Sequence, residues 1–153
     1  MAQANELAKA RITVERLLKI RLRSQKELEE KLNQKSFSPE TISAIINQYQ
    51  QMGLVDDRLF AKSWIASRLK RPFGARRINL ELIQKGVNKE IIQEELHAAR
   101  EKTDENAIVK ELAEHRSKKY KGLDKKKAKQ RLYGYLSRRG FSYPAIMKAI
   151  KEL

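Results

Sequence analysis

The side chains able to do chemistry in this chain are cations, and they come in clusters. Lys19, Arg21, Arg23 and Lys26 form the first. Arg68, Lys70, Arg71, Arg76 and Arg77 form the second, and Arg116, Lys118, Lys119, Lys121, Lys125, Lys126 and Lys127 the third. Lysine and arginine at this density hold phosphates or acidic protein surface. Residues 116–131 carry nine basic residues against one acid, Asp124, which is more than solvating a helix requires. Further on, Lys127, Arg131 and Arg138 share one flank of a helix whose core face is Ala128, Leu132, Tyr135 and Leu136. Tyr133 projects off that core face, within reach of a base, although packing against its own helices is the simpler expectation.

The carboxylates do not converge in the same way. Asp56-Asp57, Glu94-Glu95 and Asp104-Glu105 are adjacent pairs, so their members point in different directions on a helix and suit helix N-termini. A two-metal nuclease needs several carboxylates aimed into one pocket. His97 and His115 stand alone, Cys is absent, and Gly74 in PFGARR is a lone glycine rather than a phosphate-cradling loop. No catalytic residue, metal ligand or cofactor is expected, and the chain reads as a non-enzyme.

Length and composition agree with that reading. The chain has 153 residues, 34 of them basic and 19 acidic, for a formal net charge of +15. No apolar run approaches the ~20 residues that span a bilayer, and MAQANELAKAR lacks the apolar core of a secretory signal. A cytoplasmic protein with a polyanionic partner is expected.

Helices must position these cations. Leu7, Ala10, Val14, Leu17 and Leu18 recur at helical spacing, as do Leu28 and Leu32, Ile42 and Ile46, Phe60 and Trp64, and Ile78 and Leu82. Nothing alternates with period two over six residues. Ser24 with Glu27 forms a capping box, Ser38-Pro39-Glu40 opens a second helix, and Asp56-Asp57, Asn88, Asp104, Asp124 and Ser142-Tyr143-Pro144 open others. The fold class is all-α, with nine helices.

The helices also repeat. Leu28-x3-Leu32-x4-Phe37-Ser38-x3-Ile42-x3-Ile46 aligns without a gap on Ile78-x3-Leu82-x4-Val87-Asn88-x3-Ile92-x3-Leu96. Both align on Leu132-x3-Leu136-x4-Phe141-Ser142-x3-Ile146-x3-Ile150. Gly86 and Gly140 occupy the same turn slot, where positive φ is expected; the first copy has Ser36. Three tandem three-helix repeats follow, at 1–55, 56–103 and 104–153, expected to stack as an elongated, curved array. Trp64 is expected in the core of the middle repeat.

Charge grows along the repeats. Nine basic residues face six acids in the first, eleven face seven in the second, and fourteen face six in the third. The clusters fall at the junction of first and second helices each time, so similarly oriented repeats would align them as an interrupted basic stripe. A helix-turn-helix with its third helix in the major groove is disfavoured: SPETISAIINQYQQ has no cation, and residues 88–98 set Lys89 against Glu90, Glu94 and Glu95.

The motif Gly53-Leu54-Val55-Asp56-Asp57-x2-Phe60-Ala61, followed by Gly74-x2-Arg77-Ile78-x2-Glu81-Leu82-x2-Lys85-Gly86-Val87, resembles the signature of RecX, a family of bacterial regulators of the recombinase RecA. The opening Leu17-x5-Arg23-Ser24-x2-Glu27-Leu28-x3-Leu32 and closing Leu136-x2-Arg139-Gly140-Phe141 extend the resemblance over nearly the whole chain. It departs at Ser36, where the first turn lacks glycine. The resemblance implies three three-helix repeats, no catalytic residue, and binding along the groove of the RecA–single-stranded-DNA filament. There such proteins block filament extension and suppress strand exchange, ATP hydrolysis and co-protease activity, within recombination, DNA repair and the SOS response.

Expected partners are therefore the RecA filament and single-stranded or duplex DNA, engaged by a monomer. The expected contact residues are Arg68, Lys70, Arg71, Arg76, Arg77, Arg116, Lys118, Lys119, Lys121, Lys126, Lys127, Arg131 and Arg138. The alternative is a general nucleic-acid-binding protein that uses the same cations without a recombinase.

Overall fold

The computed structural model describes all 153 residues. Nine α-helices follow one another: α1 Ala2–Ile20, α2 Gln25–Gln34, α3 Pro39–Gln51, α4 Asp57–Leu69, α5 Ala75–Gln84, α6 Lys89–Arg100, α7 Glu105–Ser117, α8 Lys125–Arg138 and α9 Tyr143–Lys151. One 3-10 turn, Lys118–Tyr120, follows α7, and there is no strand. No helix is long and apolar enough to cross a membrane.

Local chemistry sets the boundaries. Ser24 Oγ accepts from the Glu27 N–H at 3.2 Å while Glu27 Oε2 accepts from the Ser24 N–H at 3.1 Å, so the capping box closes. Ser38, Asp104, Asp124 and Ser142 each accept from the N–H three residues on. The middle helix of each repeat ends alike. Ser36, Gly86 and Gly140 have φ of 63°, 79° and 88°. The next N–H then reaches back to the carbonyls of Leu32, Leu82 and Leu136 at 3.2, 3.1 and 3.4 Å.

Of the fifteen residues in the repeating apolar columns, fourteen are buried, from Leu28 at 0% exposed to Leu96 at 9%, and Phe37 is partly buried. Ala10, Val14, Leu28, Leu32, Ile42, Ile45, Ile46, Tyr49 and Val55 form one core. Val109, Ala113, Leu132, Leu136, Phe141, Ala145, Ile146, Ala149 and Ile150 form another. In both, the first helix braces the third: Glu6 accepts from the Ser38 N–H at 2.7 Å and from Thr41 Oγ1 at 2.7 Å, and Glu105 accepts from the Ser142 N–H at 2.9 Å. The bond from Thr41, foremost, holds the Glu6 carboxyl below the usual carboxylate range.

The chain forms two compact units, Met1–Ser63 with Leu82–Ile92 and Trp64–Glu81 with Gln93–Leu153, so the second repeat contributes to both. Each unit contains one joint between repeats, made the same way. In the first unit, Ser24 Oγ donates to Lys85 O at 2.6 Å, and a Cβ on Gly86 would collide with the Lys26 side chain. In the second, the Gly74 N–H donates to Arg139 O at 2.7 Å and the Arg76 N–H to Gly140 O at 3.2 Å. There a Cβ on Gly140 would collide with Arg77. The start of one repeat's middle helix thus rests on the glycine turn of the next. Ser36 fills the corresponding slot of the first repeat and is exposed, so a side chain fits there.

Candidate nucleic-acid and filament interface

The first junction is largely self-satisfied. Arg21 grips Glu27 with bonds of 2.6 and 3.0 Å, and Lys85 Nζ adds a third at 2.7 Å. Burial would raise the Glu27 carboxyl, but the bonds from Arg21, Lys85 and the Ser24 N–H outweigh it and hold it at about 2. Arg23 is half-buried with its Nε unpartnered, and burial lowers its pKa.

The second and third junctions meet within one unit through a column of alternating arginines and aromatic rings. The Arg68 guanidinium lies 4.8 Å from the Trp64 ring centre and 5.3 Å from that of Phe73. Arg77 covers Phe73 at 4.3 Å. Arg139 spans Phe73 at 5.3 Å and Tyr135 at 4.9 Å, and Arg116 takes up Tyr135 at 4.5 Å and Tyr120 at 5.8 Å. Each contact draws a cation onto the negative face of a ring. Hydrogen bonds lock the column at both ends. Glu81 accepts from Arg68 Nε at 2.8 Å, Trp64 Nε1 at 2.9 Å and Arg77 Nε at 3.3 Å; Arg116 Nε donates to the Tyr120 hydroxyl at 3.2 Å. Arg139 also donates to Pro72 O at 3.1 Å.

Three of the thirteen expected contact residues, Arg68, Arg77 and Arg116, therefore have their heads occupied by the protein itself. The Arg77–Glu81 pair, four residues apart, accounts for the Arg of the Gly-x2-Arg motif. Trp64 is half-buried rather than a core residue, because its indole N–H must reach Glu81. The other ten, Lys70, Arg71, Arg76, Lys118, Lys119, Lys121, Lys126, Lys127, Arg131 and Arg138, are exposed and make no ion pair. Lys70 and Lys118, from different junctions, line one shallow recess with Glu111 and Glu114. Arg139 is the residue that sequence reasoning missed; its place in the motif beside Gly140 was the available signal.

The acid pairs are engaged locally. Asp56 accepts from the Arg58 and Leu59 N–H groups, and Asp57 from the Gln25 N–H at 2.9 Å. Burial foremost, with Asp56, Glu29 and Glu27 nearby, pushes the Asp57 carboxyl up. No three His or acidic side chains cluster as metal ligands. A 330 Å³ apolar recess opens beside Phe73, Ile78, Ile108 and Phe141, and its one carboxylate, Glu105, is tied to Ser142.

Comparison with known proteins extends this picture over the chain. Residues 10–48, 56–96 and 103–150 match the first, second and third three-helix domains of RecX. The regulatory protein RecX of Chlorobium phaeobacteroides (strain BS1) is 35% identical over 90% of this chain and 89% of its own length. That of Clostridium botulinum (strain Alaska E43 / Type E3) is 29% identical over 99% and 72%. The crystal structure of RecX from Lactobacillus salivarius superposes with a TM-score of 0.82 at 27% identity, covering 98% of this chain and 97% of that one.

Proposed function

Since the chain belongs to the RecX family, we propose that it regulates a RecA-type recombinase by binding the RecA–single-stranded-DNA filament, without itself catalysing a reaction. Bound there, it opposes filament extension, strand exchange, ATP hydrolysis and co-protease activity. The observation that carries this reading is the division of labour among the cations. Four arginines are fixed in a ring-stacked column, while ten basic side chains in the same compact unit remain exposed and unpaired. Unpaired cations on a rigid support lose little freedom on meeting an anionic surface.

Of the three repeats at 1–55, 56–103 and 104–153, the second and third would present those cations to successive elements of a periodic filament. The decisive experiment is co-sedimentation with recombinase filaments and with bare single-stranded DNA at one salt concentration. Binding to filaments well above binding to bare DNA supports the reading. Equal binding to both, with a slope of log affinity against log salt near −4 for about six phosphates on a single strand, would instead favour the general nucleic-acid-binding alternative.

A further inference from the structure

The outward side of α8 carries two rows one helical step apart. Lys127, Arg131, Gly134 and Arg138 form one, at spacings of four, three and four. Lys126, Gln130, Tyr133 and Ser137 form the other, with the same spacing. The three cations of the first row are exposed and unpaired, and they extend about 16 Å along the helix at ~1.5 Å per residue. That length reaches successive phosphates of an extended strand.

Tyr133, in the second row, is 39% exposed, and Tyr143 at the start of α9 is 60% exposed. Their ring centres lie 6.3 Å apart at an interplanar angle of 72°. Neither ring joins the core of the third repeat, where Tyr135 and Tyr120 pack instead. Two large aromatic side chains are thus held together in solvent beside a row of cations. The first row also contains Gly134, one of the least favourable residues for a helix interior. No core group requires that glycine: a Cβ there would meet only the Arg138 guanidinium, at 3.0 Å. The missing side chain lets the Arg138 guanidinium lie back over the helix, on the line from Lys127 through Arg131, so that the three cations stay in one row.

Building on the reading of this edge as a filament contact, we propose that the third repeat binds single-stranded DNA directly. Lys127, Arg131 and Arg138 hold phosphates, and the Tyr133–Tyr143 pair stacks on bases. The strand is single because a duplex hides the base faces that an aromatic ring needs. An acidic protein surface would use the cations but give no role to the exposed rings.

The test uses the full chain without recombinase, and fluorescence anisotropy of labelled oligothymidine beside an abasic oligonucleotide of equal length in the same salt. The intact chain prefers the base-bearing strand by about tenfold or more. Tyr133→Ala with Tyr143→Ala abolishes that preference at unchanged circular dichroism, and Tyr133→Phe keeps it. Arg131→Ala with Arg138→Ala weakens both oligonucleotides alike and reduces the salt slope by about 1.4. Equal affinity of the intact chain for the two strands overturns the proposal. So does a preference that survives the double tyrosine variant, or tighter binding to a duplex of equal length. With no recombinase present, failure here leaves the filament reading standing, and failure of filament co-sedimentation leaves this one standing.

Discussion

Gly74 rests directly on Gly140: a Cβ added to Gly74 would fall on the carbonyl of Gly140 and the amide nitrogen of Phe141. The contact is backbone against backbone, so no side chain can swing aside to relieve it. It is sealed by the 2.7 Å bond from the Gly74 N–H to Arg139 O. Gly74→Ala should therefore destabilise the fold by ~1–3 kcal/mol or more. Gly134→Ala should do the reverse, raising stability by ~0.5–1 kcal/mol through helix propensity, because the only neighbour is a mobile guanidinium. Urea unfolding of the two variants checks both signs at once.

The turn slot makes a second contrast. Ser36 has φ of 63° with no glycine to relieve it, and its exposed position leaves only the backbone term. Ser36→Gly should add ~0.5–1 kcal/mol of stability, less than the full ~1–2 kcal/mol left-handed penalty because glycine is freer when unfolded. Gly86→Ser should cost more than that gain. It adds both the unfavourable φ of 79° and a collision with the Lys26 side chain. Melting curves that moved equally in both variants would remove the joint from the explanation.

How much of this was legible in the sequence depends on the range of the interaction. The capping box of Ser24 and Glu27, the buried column from Leu28 to Ile150 and the turn slots all involve residues a few positions apart, and each was readable from spacing. The Arg77–Glu81 pair is of the same kind. Arg139 over Phe73 joins residues far apart in sequence and depends on how repeats two and three face each other, which periodicity does not encode. Trp64 looked like core because its spacing from Phe60 is helical. Only the position of Glu81, on the neighbouring helix, shows why the indole stays half-exposed.

Glu27 predicts a pH dependence. Its carboxyl is held at about 2 in the folded state against an ordinary value of 4.5. A depressed carboxyl adds stability above its unfolded value and loses it as pH falls through its folded value. Glu27→Gln should therefore cost ~2–3 kcal/mol at pH 7. The gap from the native protein should close progressively between about pH 4.5 and pH 2. Urea midpoints across that range measure it. A gap that stayed constant would mean that packing, not charge, is what the substitution removes.

The last prediction separates cations that hold the fold from cations that meet the partner. Lys70, Arg71 and Arg76 are exposed and unpaired, whereas Arg77 is bonded to Glu81 and covers Phe73. Charge reversal of Lys70, Arg71 and Arg76 should leave the circular dichroism unchanged and raise the half-inhibitory concentration for recombinase ATPase at least tenfold. Three lost contacts of ~0.5–1 kcal/mol each suffice for that. Reversing Lys9, Lys31 and Lys35 changes net charge by the same amount, on exposed residues outside the second and third junctions, and should alter inhibition little. Arg77→Ala should behave differently from both sets. Removing it loosens Glu81 and with it the indole of Trp64, so Trp fluorescence should shift and stability fall by ~1–2 kcal/mol while inhibition by the remaining folded protein persists. If the first triple reversal left inhibition intact at native helix content, these three cations would be solvated surface. The contact would then have to lie on the α8 face or in the first repeat.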